Sequence, residues 1–160
     1  MKAPNAFQTR LLTGRPPSEA DATVYGAVYG SLGTRELQRN LQDQTRYTVA
    51  PWTLQANGRD VGVGGFRIGL GAGTEGIELM LALSPDVTQV GLAGEFLRDA
   101  ILFAIGTLRA DRIFAFTDAE TTLTVRMLAE AGFEDGGPMP VPGRPDRRVM
   151  LWTAANSPRA

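Results

Sequence analysis

One run constrains this chain more than any other. An apolar stretch, Leu81, Ala82 and Leu83, ends at Ser84-Pro85, and a glycine turn then leads straight into a long amphipathic segment. The turn reads Thr88, Gln89, Val90, Gly91, Leu92, Ala93, Gly94, Glu95, and the apolar positions Leu97, Ala100, Ile101, Ala104, Ile105 and Leu108 then share one helical stripe. Proline and glycine end the strand, so a strand-turn-helix unit is the reading the pattern allows. The first N–H groups of a helix have no internal partner. Where the residues beside them are as small as Gly91, Ala93 and Gly94, an anion can lie against bare backbone, and the site suits a phosphate.

Alternating elements flank this unit. Residues 7–13 read as an edge strand stopped by Gly14 and Pro16-Pro17, and a helix starting at Ser18-Glu19-Ala20-Asp21 runs to about Tyr29. The Gly30-Ser31-Leu32-Gly33 break precedes a second helix capped by Thr34 and reaching about Arg46. Residues 48–55 and 61–68 are strands joined by Asn57-Gly58, a two-residue hairpin signal. Ile77, Leu79, Leu81 and Leu83 alternate with Glu78, Met80 and Ala82, the period of a two-faced strand. Residues 112–117 predict a strand, residues 120–131 a helix stopped by Gly132, and residues 149–153 the last strand. Gly69, Gly71 and Gly73 imitate a dinucleotide fingerprint, but a strand follows them where a helix is required, so they read as a hairpin turn. Gly62, Gly64 and Gly65 inside a strand predict a bulge or close packing.

What the chain lacks narrows its chemistry. It contains no cysteine, hence no disulfide, thiolate nucleophile or soft metal site, and no histidine, the commonest metal ligand and general base. Acid and base work falls to carboxylates, hydroxyls, water or backbone. A net charge of -1 provides no field to hold nucleic acid or an anionic membrane. The first ten residues carry no signal-peptide core and no run reaches membrane-spanning length, so the expected address is cytoplasmic. Its 160 residues at 43% hydrophobic suit one domain spanning residues 1–160.

The order and spacing of these segments resemble the GNAT superfamily of acetyl-coenzyme A dependent N-acetyltransferases. Its pyrophosphate loop follows Gln/Arg-x-x-Gly-x-Gly/Ala, matched here at Gly91 and Ala93, with Thr88 in place of Gln or Arg. Within it the pattern is similar to the Rim group, which acetylates protein N-terminal amines. Glu78, Leu83 and Pro85 match its strand motif, Thr121-x-x-Thr124 stands for Asn-x-x-Ser, and Gly132-Phe133 closes the unit.

The resemblance implies a mixed α/β fold: a mostly antiparallel sheet splayed between its fourth and fifth strands (residues 77–83 and 112–117) and flanked by helices. It implies acetyl-coenzyme A as acyl donor, no metal, and a primary amine, on a protein N-terminus or a small molecule, as acceptor. It implies no nucleic-acid or membrane partner, and a monomer or homodimer. Backbone amides of Leu81, Ala82 and Leu83 would then hold the pantetheine and polarise the thioester carbonyl. Those of Gln89, Val90, Gly91, Leu92, Ala93 and Gly94 would hold the diphosphate, with Arg98 and Arg126 as candidates for the outer phosphate. Glu78 takes the place of the strand glutamate as base or water-orienter, with Glu75 in reserve. Thr124 takes the place of the serine that faces the sulfur, and Thr121 that of an asparagine beside the pantetheine. Every tyrosine (Tyr25, Tyr29, Tyr47) precedes Thr48, so the tyrosine acid that many members carry on the last helix is missing. The acceptor is expected between the break at residues 31–34 and a loop at residues 134–148, where Glu134 and Asp135 would attract an amine and Arg144, Arg147 and Arg148 would hold a carboxylate or phosphate. The alternative reading is an idle acyl-coenzyme A binding module that kept the loop and lost the chemistry.

Overall fold

A computed structural model describes residues 7–68, 76–87, 91–119 and 121–154. Its centre is one eight-stranded sheet in the order β1-β2-β3-β4-β5-β6-β8-β7. The strands are β1 (Phe7–Gln8), β2 (Thr13–Arg15), β3 (Trp52–Ala56), β4 (Arg59–Ile68), β5 (Ile77–Leu83), β6 (Arg112–Thr117), β7 (Glu134–Pro138) and β8 (Arg148–Thr153). Every neighbouring pair is antiparallel except β5 and β6, which run parallel. The expected mixed sheet is the one observed. Among the described residues no helix is long and apolar enough to cross a membrane.

Alternation along β5 divides the interior in two. Leu79 and Leu81 join the main core, where α3 (Leu92–Gly106) contributes Leu92, Phe96 and Leu97 and α4 (Val125–Glu130) contributes Leu128. Met80 packs on the other face, against Val24 and Tyr25 of α1 (Ala22–Tyr29) and Leu37 of α2 (Gly33–Tyr47). Phe7, Trp52, Phe66, Phe96 and Phe103 interlock in stacked and edge-on pairs with centroids 4.4 to 6.3 Å apart, a geometry that adds to plain burial. The glycines of β4 serve close packing: a Cβ at Gly64 would stand 3.0 Å from the Phe96 ring and 2.8 Å from Leu81.

Several bounds differ from the sequence reading, each for a local polar reason. The single edge strand of residues 7–13 is instead the hairpin of β1 and β2, turned at Thr9, whose hydroxyl accepts the N–H groups of Leu11 and Leu12. A side-chain hydroxyl of this kind offers the backbone an alternative to the strand ladder. The helix opened at Ser18 begins as a 3-10 turn over Glu19–Asp21. Thr34 lies inside the first turn of α2 and does not cap it, and a 3-10 turn over Gly30–Leu32 precedes that helix. α2 closes at Thr48, whose φ of 55° is left-handed, so the next strand starts only at Trp52. The helix expected from residue 120 starts at Val125, because Thr124 accepts the Met127 N–H as its N-cap. The first third of the 134–148 loop is a strand, β7, and its last residue, Arg148, opens β8. The glycine turn at residues 69–73 and the reserve carboxylate Glu75 lie outside the described residues.

Asp21 ties α1 to the sheet. Buried to 2% exposure, it accepts the Ser18 N–H at 2.9 Å, the Thr53 hydroxyl at 2.7 Å and an Arg15 N–H at 2.7 Å. A buried carboxylate is tolerable only with such partners.

Candidate active site

The parallel pairing of β5 and β6 lasts two rungs, Ile77 opposite Ile113 and Glu78 opposite Phe114. Beyond Glu78, β5 stays with β4 as far as Leu83, and β6 stays with β8 as far as Thr117. The strands therefore part at Glu78. N–H groups alternate sides along a strand. That of Ser84 bonds to Val61 across β4 at 2.8 Å, so those of Leu83 and Leu81 are turned towards the gap. The Leu83 N–H meets the Thr122 hydroxyl oxygen at 3.1 Å.

A cavity of about 310 Å³ opens at this gap, and its walls include Tyr29, Glu78, Phe116, Asp118, Thr122 and Arg147. Burial pushes the Glu78 carboxyl above its ordinary range, against the pull of Arg67, Arg39 and Arg147. Arg67 stands opposite Glu78 in the β4–β5 register and is held in place by Glu36 and Asn40, each at 3.1 Å. Asn40 in turn donates to the Tyr25 hydroxyl at 2.7 Å, and burial pushes that phenol up to about 12. The Tyr29 hydroxyl, by contrast, is buried with no hydrogen-bond partner among the described residues. Burial raises its pKa well above the usual phenol value, so it keeps its proton.

Of the residues expected to form the site, Glu78, Leu81, Ala82, Leu83 and Thr121 line the cavity. Thr121 is engaged within its own loop, its hydroxyl accepting the Asp118 N–H at 3.2 Å and within bonding distance of the Asp118 and Leu123 carbonyls. Thr124 is exposed, caps α4 and does not line the cavity. Tyr29, absent from the expected set, does line it, brought there from the end of α1. No local signal marks that placement, which depends on how α1 lies across the sheet.

The described part of the glycine turn, from Gly91 onward, opens α3. Gly91 is the N-cap with φ of 90° and no side-chain cap. Glu95 donates its N–H to the Gly91 carbonyl at 3.0 Å, and those of Leu92, Ala93 and Gly94, in the first turn, have no helical partner among the described residues. Gln89 and Val90 lie outside the described residues. Arg98 reaches solvent beside Asp99, and Arg126 pairs with Glu130 one turn along α4 with 88% of its side chain exposed. The structure brings neither arginine into the cavity.

On the opposite wall the three expected arginines have three different fates. Arg148 forms a two-pronged pair with Asp135 on the exposed strand β7, away from the cavity along with Glu134. Arg144 pairs at 2.7 Å with Asp118, whose side chain is 5% exposed. Arg147 stacks on Phe116, its guanidinium carbon 3.6 Å from the ring centroid. Among the described residues no group of acidic side chains gathers in a metal-binding arrangement.

Residues 8–134 match the family described as acetyltransferase (GNAT) domain. No curated protein matches the chain. Among solved structures, it is similar to a putative GnaT-family acetyltransferase from Bordetella pertussis, at 17% identity and TM-score 0.76 over 92% of this chain and 99% of that one. It is similar also to RimJ from Mycobacterium smegmatis, solved with CoA-disulfide, at 17% identity and TM-score 0.70 over 93% and 85%. A Vibrio cholerae SpeG spermidine N-acetyltransferase mutant follows at 14% identity and TM-score 0.68 over 91% and 95%. At such identities the likeness is one of fold.

Proposed function

The chain belongs to the acetyltransferase (GNAT) domain family, and from that premise we propose that it moves the acetyl group of acetyl-coenzyme A onto a primary amine held beside Glu78. The observation that carries this reading is the parting of β5 and β6 at Glu78, which leaves a carboxylate at the inner end of a gap faced by backbone N–H groups.

Acetyl-coenzyme A fits the features on either side of β5. Its extended arm would lie along β5, where the Leu81 N–H is turned to the gap, and its diphosphate on the unpartnered N–H groups of Leu92, Ala93 and Gly94. Bound there it supplies an acetyl thioester, whose C–S bond breaks as the amine's N–C bond forms. Glu78 takes the proton that the amine nitrogen must lose, directly or through one water, and burial makes it a stronger base than a surface carboxylate. Tyr29 supplies the proton that the departing sulfur needs, since its hydroxyl is buried, protonated and uncommitted. Thr124, committed to capping α4, is the weaker donor.

The Rim-like matches at Glu78, Leu83, Pro85 and Gly132-Phe133 favour an acceptor amine of the α-amino type, on a peptide N-terminus or a small molecule. The competing reading, an acyl-coenzyme A binding module without turnover, keeps the α3 site and discards Glu78 and Tyr29. Release of free thiol from acetyl-coenzyme A in the presence of a panel of primary amines tests the two. Amine-dependent release supports transfer. Coenzyme-induced thermal stabilisation with no release under any amine supports the idle module, and absence of both removes the coenzyme.

A further inference from the structure

We infer that Arg147 is an anion anchor for the acceptor, and that the acceptor is therefore an amine that also carries a carboxylate or phosphate a few bonds away. The inference rests on the acetyl-transfer reading and deepens it. Three arginines approach the cavity from the sheet and the 139–148 loop, and two already have a carboxylate partner in contact. Arg67 is held by Glu36 and Asn40, and Arg144 by Asp118. Arg147 alone makes neither ion pair nor side-chain hydrogen bond among the described residues. Its one specific contact is with the face of Phe116, which covers the guanidinium's flat side and leaves the N–H donors in its plane available. A half-buried guanidinium that acts on Glu78 only at a distance and has no ion pair in contact with it, on the wall of a cavity, is a site for a planar or tetrahedral oxyanion.

Glu78 and Arg147 line the same cavity of about 310 Å³. An amine delivered to Glu78 and an anion delivered to Arg147 must then belong to one small molecule, or to the first residues of one peptide. Amino acids, amino phosphates and peptide N-termini followed by an acidic side chain share that chemistry. A polyamine does not: its second ammonium would face Arg147 where an anion is wanted, and like charges repel.

The test is an initial-rate thiol-release assay on the full chain with matched acceptors. These are ethanolamine against O-phosphoethanolamine, an amidated peptide beginning Ala-Asp against one beginning Ala-Lys, and spermidine. The anionic member of at least one pair should be preferred, and the pair in which it is preferred identifies the source. Arg147→Gln should raise KM for that acceptor about tenfold to a hundredfold, the worth of one charge-assisted contact, with kcat little changed. It should leave the affinity for coenzyme A as in the wild type and change the ethanolamine KM far less than that of the anionic acceptor, and Arg147→Lys should recover part of the loss. Preference for the neutral or cationic members overturns the proposal, as does an Arg147→Gln variant that loses coenzyme affinity in place of acceptor affinity. If no amine is turned over, the transfer reading fails separately. Calorimetry with O-phosphoethanolamine then decides the anion site: binding to the wild type and not to Arg147→Gln upholds it, and no binding to either overturns it.

Discussion

The Leu83 N–H donates to the Thr122 hydroxyl oxygen at 3.1 Å, bridging the gap beyond the last rung between β5 and β6. A loop residue thereby satisfies part of a sheet edge that the parting of the strands exposes. Thr122→Val keeps the shape and removes the acceptor. An unpaired buried N–H costs about 1–3 kcal/mol, this half-buried one at the low end or below because water in the cavity reaches it, and each kcal/mol lowers Tm by roughly 2–4 °C in a chain of this size. The variant should melt lower than the wild type without ligand and gain more on saturation with coenzyme A, since an extended arm along β5 offers that N–H a new partner. Differential scanning fluorimetry with and without coenzyme reads both quantities, and an equal gain in the two proteins places the arm elsewhere.

Glu78→Gln separates chemistry from stability. Burial raises the folded-state pKa above the ordinary glutamate value, so the folded chain holds more protons than the unfolded chain between those two values. Stability therefore falls as pH rises through that window, and the cost is fully present above the raised value. The Gln variant should be at least as stable as the wild type at neutral pH, with its advantage vanishing in acid. Its turnover should fall by about 10²- to 10⁴-fold while coenzyme affinity holds. The wild-type rate should climb with pH as Glu78 loses its proton, and the variant's pH profile should lack that limb.

Tyr29→Phe removes a hydroxyl that has no partner. No hydrogen bond is lost, so the variant should fold with an unchanged or higher Tm, because an unsatisfied buried polar group is itself a cost. Thiol release at saturating substrates should nevertheless fall by about 10²- to 10⁴-fold, the range expected for an acid catalyst. Full activity would assign the leaving-group proton to water.

The diphosphate site is best challenged at Gly94. A Cβ there meets nothing within 4 Å, and its helical backbone accepts any residue, whereas Gly91 has φ of 90° and would be strained by any side chain. An aspartate in the first turn also interacts favourably with the helix dipole, by about 0.3–1 kcal/mol. Gly94→Asp should keep or raise Tm and abolish the thermal response to coenzyme A, while Gly91→Ala should lower Tm. An intact coenzyme response in Gly94→Asp would remove the anion from this turn.

The parts of the fold legible in the sequence are those written in local chemistry. Asn57-Gly58 specifies a hairpin because both residues adopt positive φ, 53° and 75°, and the alternation of residues 77–83 shows which side chains of β5 face which core. Short-range polar contacts obscured other bounds. The Thr9 hydroxyl folds what reads as one strand into a hairpin, and buried Glu95 secures that turn by accepting from the Thr9 hydroxyl and the Leu11 N–H, residues more than eighty positions away. Tyr29 enters the site only through tertiary placement, from the end of α1, and carries no spacing that a reader of the chain could recognise. Arg147 is legible as one of three loop arginines near the acceptor, but what sets it apart from Arg144 and Arg148, its seat on a ring of β6, is tertiary.

The mooring of α1 by Asp21 leaves the eight-residue helix built like a cantilever. Its root is pinned to β2 and β3, and its tip, ending at Gly30 with φ of 61°, presents Tyr29 and the following turn to the cleft. Substitutions are therefore tolerated unequally along it: a change near the root threatens the whole molecule, while a change at the exposed residues 31–32, beside the cavity, reshapes its rim and leaves the framework standing.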